Sequence, residues 1–156
     1  MKTVITDFLD QMKASYKVKH HTKPVFTSEE AAKEREVSLS QIVKTMLLSD
    51  REDMLVAVLP AHRKLDLKKL KKASGHKNLQ FMNKEAIEKK TRLIVGAVAP
   101  IGKMLQGMPI FVDPSVFGEE FLDISSGDPT AGLELHRDTL RELLGDAVFV
   151  DISREE

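Results

Sequence analysis

LSQIVKTMLLSDREDMLVAVLP, residues 39–60, is the stretch whose reading decides the fold. Ile42, Val43, Met46, Leu47 and Leu48 make a short buried strand that polar Ser49 and Asp50 close, and residues 54–60 make a second. The polar turn at 49–53 pairs the two. Inside the first run stands one lysine, Lys44. Side chains alternate along a strand, so Lys44 shares a face with Ile42, Met46 and Leu48. A buried ammonium is costly without a partner, which makes Lys44 a candidate for function.

Working outward, residues 3–14 place Val4, Ile5, Phe8, Leu9 and Met12 on one helical face. Residues 16–24 read as a strand that stops near Pro24. Thr27 and Glu30 form a capping box that opens a helix through about Glu36, and Ser38 with Gln41 repeats the signal as a short turn before the Lys44 strand. Asp66 caps LKKLKKAS, with Gly75 at its end, and Asn83 caps KEAIEKK. LIVGAV, PIFVD, FLDIS and AVFVDIS supply further strands, and RDTLRELLG a last helix. Helices and strands in uneven order predict a mixed α/β fold, a mixed or partly closed sheet of six to seven strands with flanking helices. The expectation is one domain over 1–156, with a helix at 1–15 packed on it.

The chain has 156 residues, 42% of them hydrophobic, enough for one sizeable core. It has no cysteine, so disulfides, iron–sulfur ligation and thiol nucleophiles are excluded. No apolar run approaches the roughly 18 residues of a membrane span, and MKTVITDFLDQMK lacks a signal-peptide pattern. A cytoplasmic protein is expected. The net charge of zero hides a separation. Residues 61–92 carry eleven Lys or Arg against three acidic residues, net +8; residues 113–156 carry three Arg against twelve acidic ones, net −9. The basic stretch reads either as a surface for a polyanion or as solvated helix faces.

His20, His21, His62, His76 and His136 form no HExxH pair, and no spaced set of His and carboxylates suggests a metal. One of the five could orient a substrate, against a structural or surface role for all of them. GAVAPIGKM, residues 96–104, is not a phosphate loop: its glycines are one residue too far apart, and Met104 replaces the magnesium-binding Ser or Thr. The Gly96 to Pro100 spacing reads either as an ordinary turn or as a loop whose amides hold a carbonyl oxygen. DISSGDPTAG, residues 123–132, is a second such loop without the G-x-S-x-G pattern of a serine nucleophile.

Taken in order, these pieces resemble the YbaK/ProX-type aminoacyl-tRNA deacylases, relatives of the editing insertion domain of bacterial prolyl-tRNA synthetase. The resemblance rests on a strand with His20 and His21, then TSEEAA, IVKTMLL, MLVAVLP and LDLKKLKKASG. It continues with TRLIVGAVAPIG, a VD strand, DISSG, LEL and FVDIS, from about residue 16 to 153. It implies hydrolysis of the ester joining a wrong, small amino acid to tRNA, in trans, with no cofactor, no metal and no covalent protein intermediate. Lys44, Gly96 and Pro100 correspond to the catalytic positions. Thr45, Ala97, Val98, Ser126, Gly127, Asp128 and His21 are the implied substrate-binding set, and Lys68, Lys69 and Lys72 the tRNA-binding lysines. Expected partners are the acceptor end of aminoacyl-tRNA and an aminoacyl-tRNA synthetase. Arg92 and Ala97 stand where many relatives have glycine, and Asp128-Pro129 where relatives differ widely. The rival expectation is a non-catalytic tRNA- or synthetase-binding module.

Overall fold

The computed structural model describes residues 1–93 and 98–156. Its centre is the hairpin of β2 (Val43–Asp50) and β3 (Asp53–Pro60), in unbroken antiparallel register from Val43 opposite Pro60 to Asp50 opposite Asp53. β6 (Ile110–Val112) joins β3 in parallel, and β9 (Val148–Phe149) joins β6 in parallel. β5 (Gln80–Phe81) pairs only with Leu48 and Ser49 of β2, giving the order β5-β2-β3-β6-β9. The sheet is mixed, as expected.

Strand alternation sorts its side chains into two cores. Val43, Leu47, Val56, Val58, Ile110 and Val112 enter one, while Leu48, Leu55, Ala57, Leu59 and Phe111 enter the other. A sheet covered on both faces needs near-continuous apolar strands, which is what MLVAVLP supplies. Lys44 falls on the face of Met46 and Leu48. Ile42 instead precedes the strand and packs with Val25, Ala31 and Ala61.

A second sheet has the antiparallel order β1 (Lys17–His20), β8 (Ala131–His136), β7 (Phe121–Ser125). It covers the first core together with α1 (Val4–Gln11), whose Ile5 and Leu9 are wholly buried. Val4, expected on that inward face, is 62% exposed, because Thr3 caps the helix and leaves its first turn at the surface. The two sheets touch through one parallel bridge, Ile42 to Asp123. β4 (Arg63–Leu65) pairs with β10 (Ser153–Glu155) as a separate ribbon beside α3 (Leu67–Ser74).

Thr27, Asp66 and Asn83 cap α2 (Ser28–Arg35), α3 and α4 (Lys84–Thr91) as their sequence signals predict. Ser38 and Gln41 form their box around a single turn, Leu39–Gln41. LIVGAV lies partly outside the described residues. AVFVDIS, expected as one strand, is two, and residues 131–136 form a strand of their own, so ten strands stand among the described residues.

The split has a physical cause. At the end of β6, Asp113 is 4% exposed, and its Oδ2 accepts from the Ile152 amide at 3.0 Å. Oδ1 accepts from the Ser115 amide at 3.0 Å and from the Ser115 hydroxyl. The chain therefore leaves β6 after Val150, whose amide still donates to the Val112 carbonyl at 3.0 Å, and swings onto β4. Burial pushes the Asp113 carboxyl up, but hydrogen bonds from Ser115, Ser153 and Ile152 outweigh it and hold it below the ordinary value. Arg63 Nε donates to Ser153 Oγ at 2.6 Å, and Lys69 Nζ donates to Asp151 and to the Ser153 carbonyl at 2.8 Å. These bonds form a clasp around the C-terminal strands.

Candidate active site

Beyond the Ile42–Asp123 bridge, β2 and β7 pair no further, and a cavity of about 820 Å³ opens beside residues 43–46 and 123–125. Since β5 reaches only Leu48 and Ser49, the outer edge of β2 at 43–46 has no ladder partner among the described strands. The remaining wall comes from the start of α1, the loop into α2, and the turn at 127–129.

Six of the residues singled out in the sequence line this cavity: Lys44, Thr45, Val98, Pro100, Gly127 and Asp128. They come from three separate segments of the chain. Gly96 and Ala97 lie outside the described residues. Ser126 is placed differently: it is wholly buried, and its hydroxyl donates to the Ala131 carbonyl at 2.6 Å and accepts from the Asp128 amide. It holds the turn, and Ser125 lines the cavity instead. His21 stands behind the wall. Its Nδ1 is 2.8 Å from the Lys23 carbonyl, so Nε2 is the acceptor for Arg35 Nε at 3.3 Å. Lys68 and Lys72 are exposed on α3, away from the cavity lining, and Lys69 is bound into the clasp.

Lys44 is half-buried and donates from Nζ to the Arg63 carbonyl at 3.0 Å. An ammonium has three N–H donors, and this is its one hydrogen bond among the described residues. Burial draws the group below the usual lysine range, against partial support from Glu156 and Glu29. The Thr130 amide and hydroxyl, both on Oδ1 at 2.8 Å, hold the Asp128 carboxyl below its ordinary value.

Sequence reasoning missed Phe26, Arg35, Lys84 and Asp123, all in the cavity wall. Phe26 is 79% exposed, an aromatic ring at the surface beside the opening. The Thr27 cap sets the register that puts Ala31 and Arg35 one and two turns on, on the same helix face. Arg35 Nη1 donates to Asp123 Oδ1 at 2.6 Å and Nη2 to the Ala131 carbonyl at 3.2 Å. A Cβ at Gly132 would lie 2.6 Å from Arg35 Nε, so the glycine in β8 makes room for this guanidinium. A lone glycine inside a strand marks such close approach, and it was the one available signal.

Against known proteins, the model of the aminoacyl-tRNA editing domain matches residues 22–143. The chain therefore belongs to the aminoacyl-tRNA editing domain family. Among its relatives is EbsC of Enterococcus faecalis, named for Cys-tRNA(Pro) and Cys-tRNA(Cys) deacylation; it is 27% identical over 99% of this chain and 95% of its own. The prolyl-tRNA editing protein ProX of Acetoanaerobium sticklandii is 28% identical over 92% of this chain and 90% of its own. The crystal structure of hypothetical protein APE2540 superposes with a TM-score of 0.81 at 25% identity, covering 96% of this chain and 99% of that one.

Proposed function

We propose that the protein is a free-standing deacylase that hydrolyses the ester of mischarged aminoacyl-tRNA carrying a small amino acid, acting in trans in the cytoplasm. The observation that carries this reading is the convergence of Lys44, Thr45, Val98, Pro100 and the 127–128 turn on one cavity. Attack on the ester carbonyl carbon places negative charge on its oxygen, and collapse breaks the bond to the ribose oxygen, which leaves with a proton. Lys44, fixed by the Arg63 carbonyl, keeps two N–H donors for the ribose, the terminal phosphate or that developing charge. The ammonium is preorganised, so little reorganisation accompanies the reaction.

The Ser126 hydroxyl is committed to the backbone, which supports, with the family resemblance, water or a ribose hydroxyl of the substrate as the attacking group. The Gly96 loop, with the amides that would share the oxyanion, completes this scheme from the sequence. Phe26 offers a face for the terminal base, and exposed Lys68 and Lys72 offer charge for the acceptor stem. The test is deacylation of a panel of mischarged tRNAs by the purified protein. Release of no amino acid above the buffer rate would overturn the reading in favour of a module that binds tRNA without turnover.

A further inference from the structure

The cavity wall contains a polar group that this scheme leaves unused. Asp123 is 2% exposed, and its Oδ2 has no hydrogen-bond partner among the described residues. A buried acceptor left unsatisfied is destabilising, so such an atom in a native wall calls for a reason. Its geometry is fixed. Arg35 holds Oδ1, and Arg35 is itself held by His21, the Ala131 carbonyl and the hollow over Gly132. The carboxylate is thereby kept from turning Oδ2 to the guanidinium.

The other charges around the cavity narrow what Oδ2 can meet. Lys44 and Lys84 are cationic and suit phosphate, hydroxyl or carbonyl oxygens. The one other carboxylate in the wall among the described residues, Asp128, has its Oδ1 held by Thr130 and is only half-buried, so water competes for its Oδ2. The aminoacyl ester of a small amino acid carries a single cationic donor, its α-ammonium, and Asp123 is the buried carboxylate of the wall that can accept from it.

We propose that Asp123, oriented by Arg35, is the acceptor for the α-ammonium of the aminoacyl group and restricts the protein to substrates with a free α-amine. This rests on the deacylase reading and adds a specificity residue to it. A site with a buried acceptor rejects an analogue lacking the donor far more strongly than an apolar pocket rejects a missing methylene. Oδ2 has almost no open surface in the unliganded cavity, so an ammonium reaches it only as a bound substrate shifts the side chains that cover it.

The probe is 3′-deoxy-3′-(L-alanylamino)adenosine, which cannot be hydrolysed at its amide, compared with its N-acetyl form by titration calorimetry on the intact protein. The wild type is expected to bind the free amine at least about 30-fold more tightly, and Asp123→Asn to shrink the preference below about 3-fold. If Asp123→Asn has no cooperative melt, Arg35→Leu/Asp123→Leu replaces the pair by apolar groups and is read the same way. A full preference in either folded variant, no preference in the wild type, or no binding of either probe overturns the proposal. Hydrolysis separates the two readings. Equal rates on alanyl- and N-acetylalanyl-tRNA would keep the deacylase and discard the ammonium site. Selective probe binding with neither tRNA hydrolysed would do the reverse.

Discussion

Asp113 and Asp123 lie ten residues apart, are 4% and 2% exposed, and meet opposite fates. Asp113 sits in the clasp, where both oxygens are bonded and hydrogen bonds overcome burial to hold its pKa down. Asp123 sits in the cavity wall, where burial pushes its pKa up despite the opposing charge of Arg35, and one oxygen is unmatched among the described residues. Lys44 spans the two regions: its one hydrogen bond among the described residues is to the backbone of Arg63, whose side chain belongs to the clasp. The difference separates a fully satisfied network, which stabilises, from a partly satisfied one, which costs stability.

The largest effect is expected at Lys44. Lys44→Met should lower single-turnover deacylation by about 100- to 1,000-fold, the range for losing one transition-state donor. It should also raise stability by about 1 kcal/mol, since a desolvated ammonium with one partner disappears. The pH dependence has a definite sign. A lysine whose folded pKa is lowered binds its proton less tightly in the folded state, so the wild type gains stability on Lys44→Met as pH rises through that lowered pKa. The gain levels off above the ordinary lysine value. Lost stability without lost turnover, in urea melts and rapid-quench assays, would assign Lys44 to the clasp alone.

Asp113 should behave in the opposite way. Asp113→Ala is expected to cost about 3 kcal/mol, because the buried Ile152 amide loses a charged acceptor. With its folded pKa depressed, its stabilisation is present above the ordinary carboxylate pKa and is lost as pH falls through the folded one. Urea midpoints of wild type and Asp113→Asn should therefore converge below about pH 4. A constant gap down to pH 2 would mean that shape, and not charge, matters there.

The Arg35–Asp123 pair sharpens the contrast. Asp123→Leu alone should cost about 3 kcal/mol by stranding the guanidinium, while adding Arg35→Leu should recover stability to within about 1 kcal/mol of wild type. A double variant as unstable as the single one would place Asp123 with Asp113 as a structural residue.

How far the sequence carried these distinctions depended on range. Lys44 was legible because its anomaly is local, a charge in an apolar strand. Helix starts were legible because Thr27, Asp66 and Asn83 bond within three residues of themselves. Arg35 and Asp123 are 88 residues apart, and each alone looks ordinary, one ending a charged helix and the other opening a turn-like DISSG. FVDIS looked continuous because the carboxylate that bends it, Asp113, lies 39 residues earlier.

The smallest change in stability, under about 0.5 kcal/mol, is expected for Lys68→Glu/Lys72→Glu, whose lysines are exposed. Affinity for tRNA should fall for all sequences alike, with a shallower salt dependence as fewer counterions are released. Lys69→Glu is the control that touches the clasp, through Asp151 and the Ser153 carbonyl. An unaltered salt slope in the double variant would make α3 a merely solvated helix.

The open edge of β2 at residues 43–46, unpaired among the described strands, also bears on association between copies of the protein. An unpaired strand edge is a template for another chain, and natural sheets blunt such edges with inward-pointing charges. Lys44 is one, set among Val43, Met46 and Leu47. On the proposed reading, the lysine at the centre of the chemistry would also act as a gatekeeper against edge-to-edge association, and the variant expected to be more stable as a monomer is the one that should clump. Light scattering on concentrated Lys44→Met, beside Lys44→Arg, would read that second duty directly.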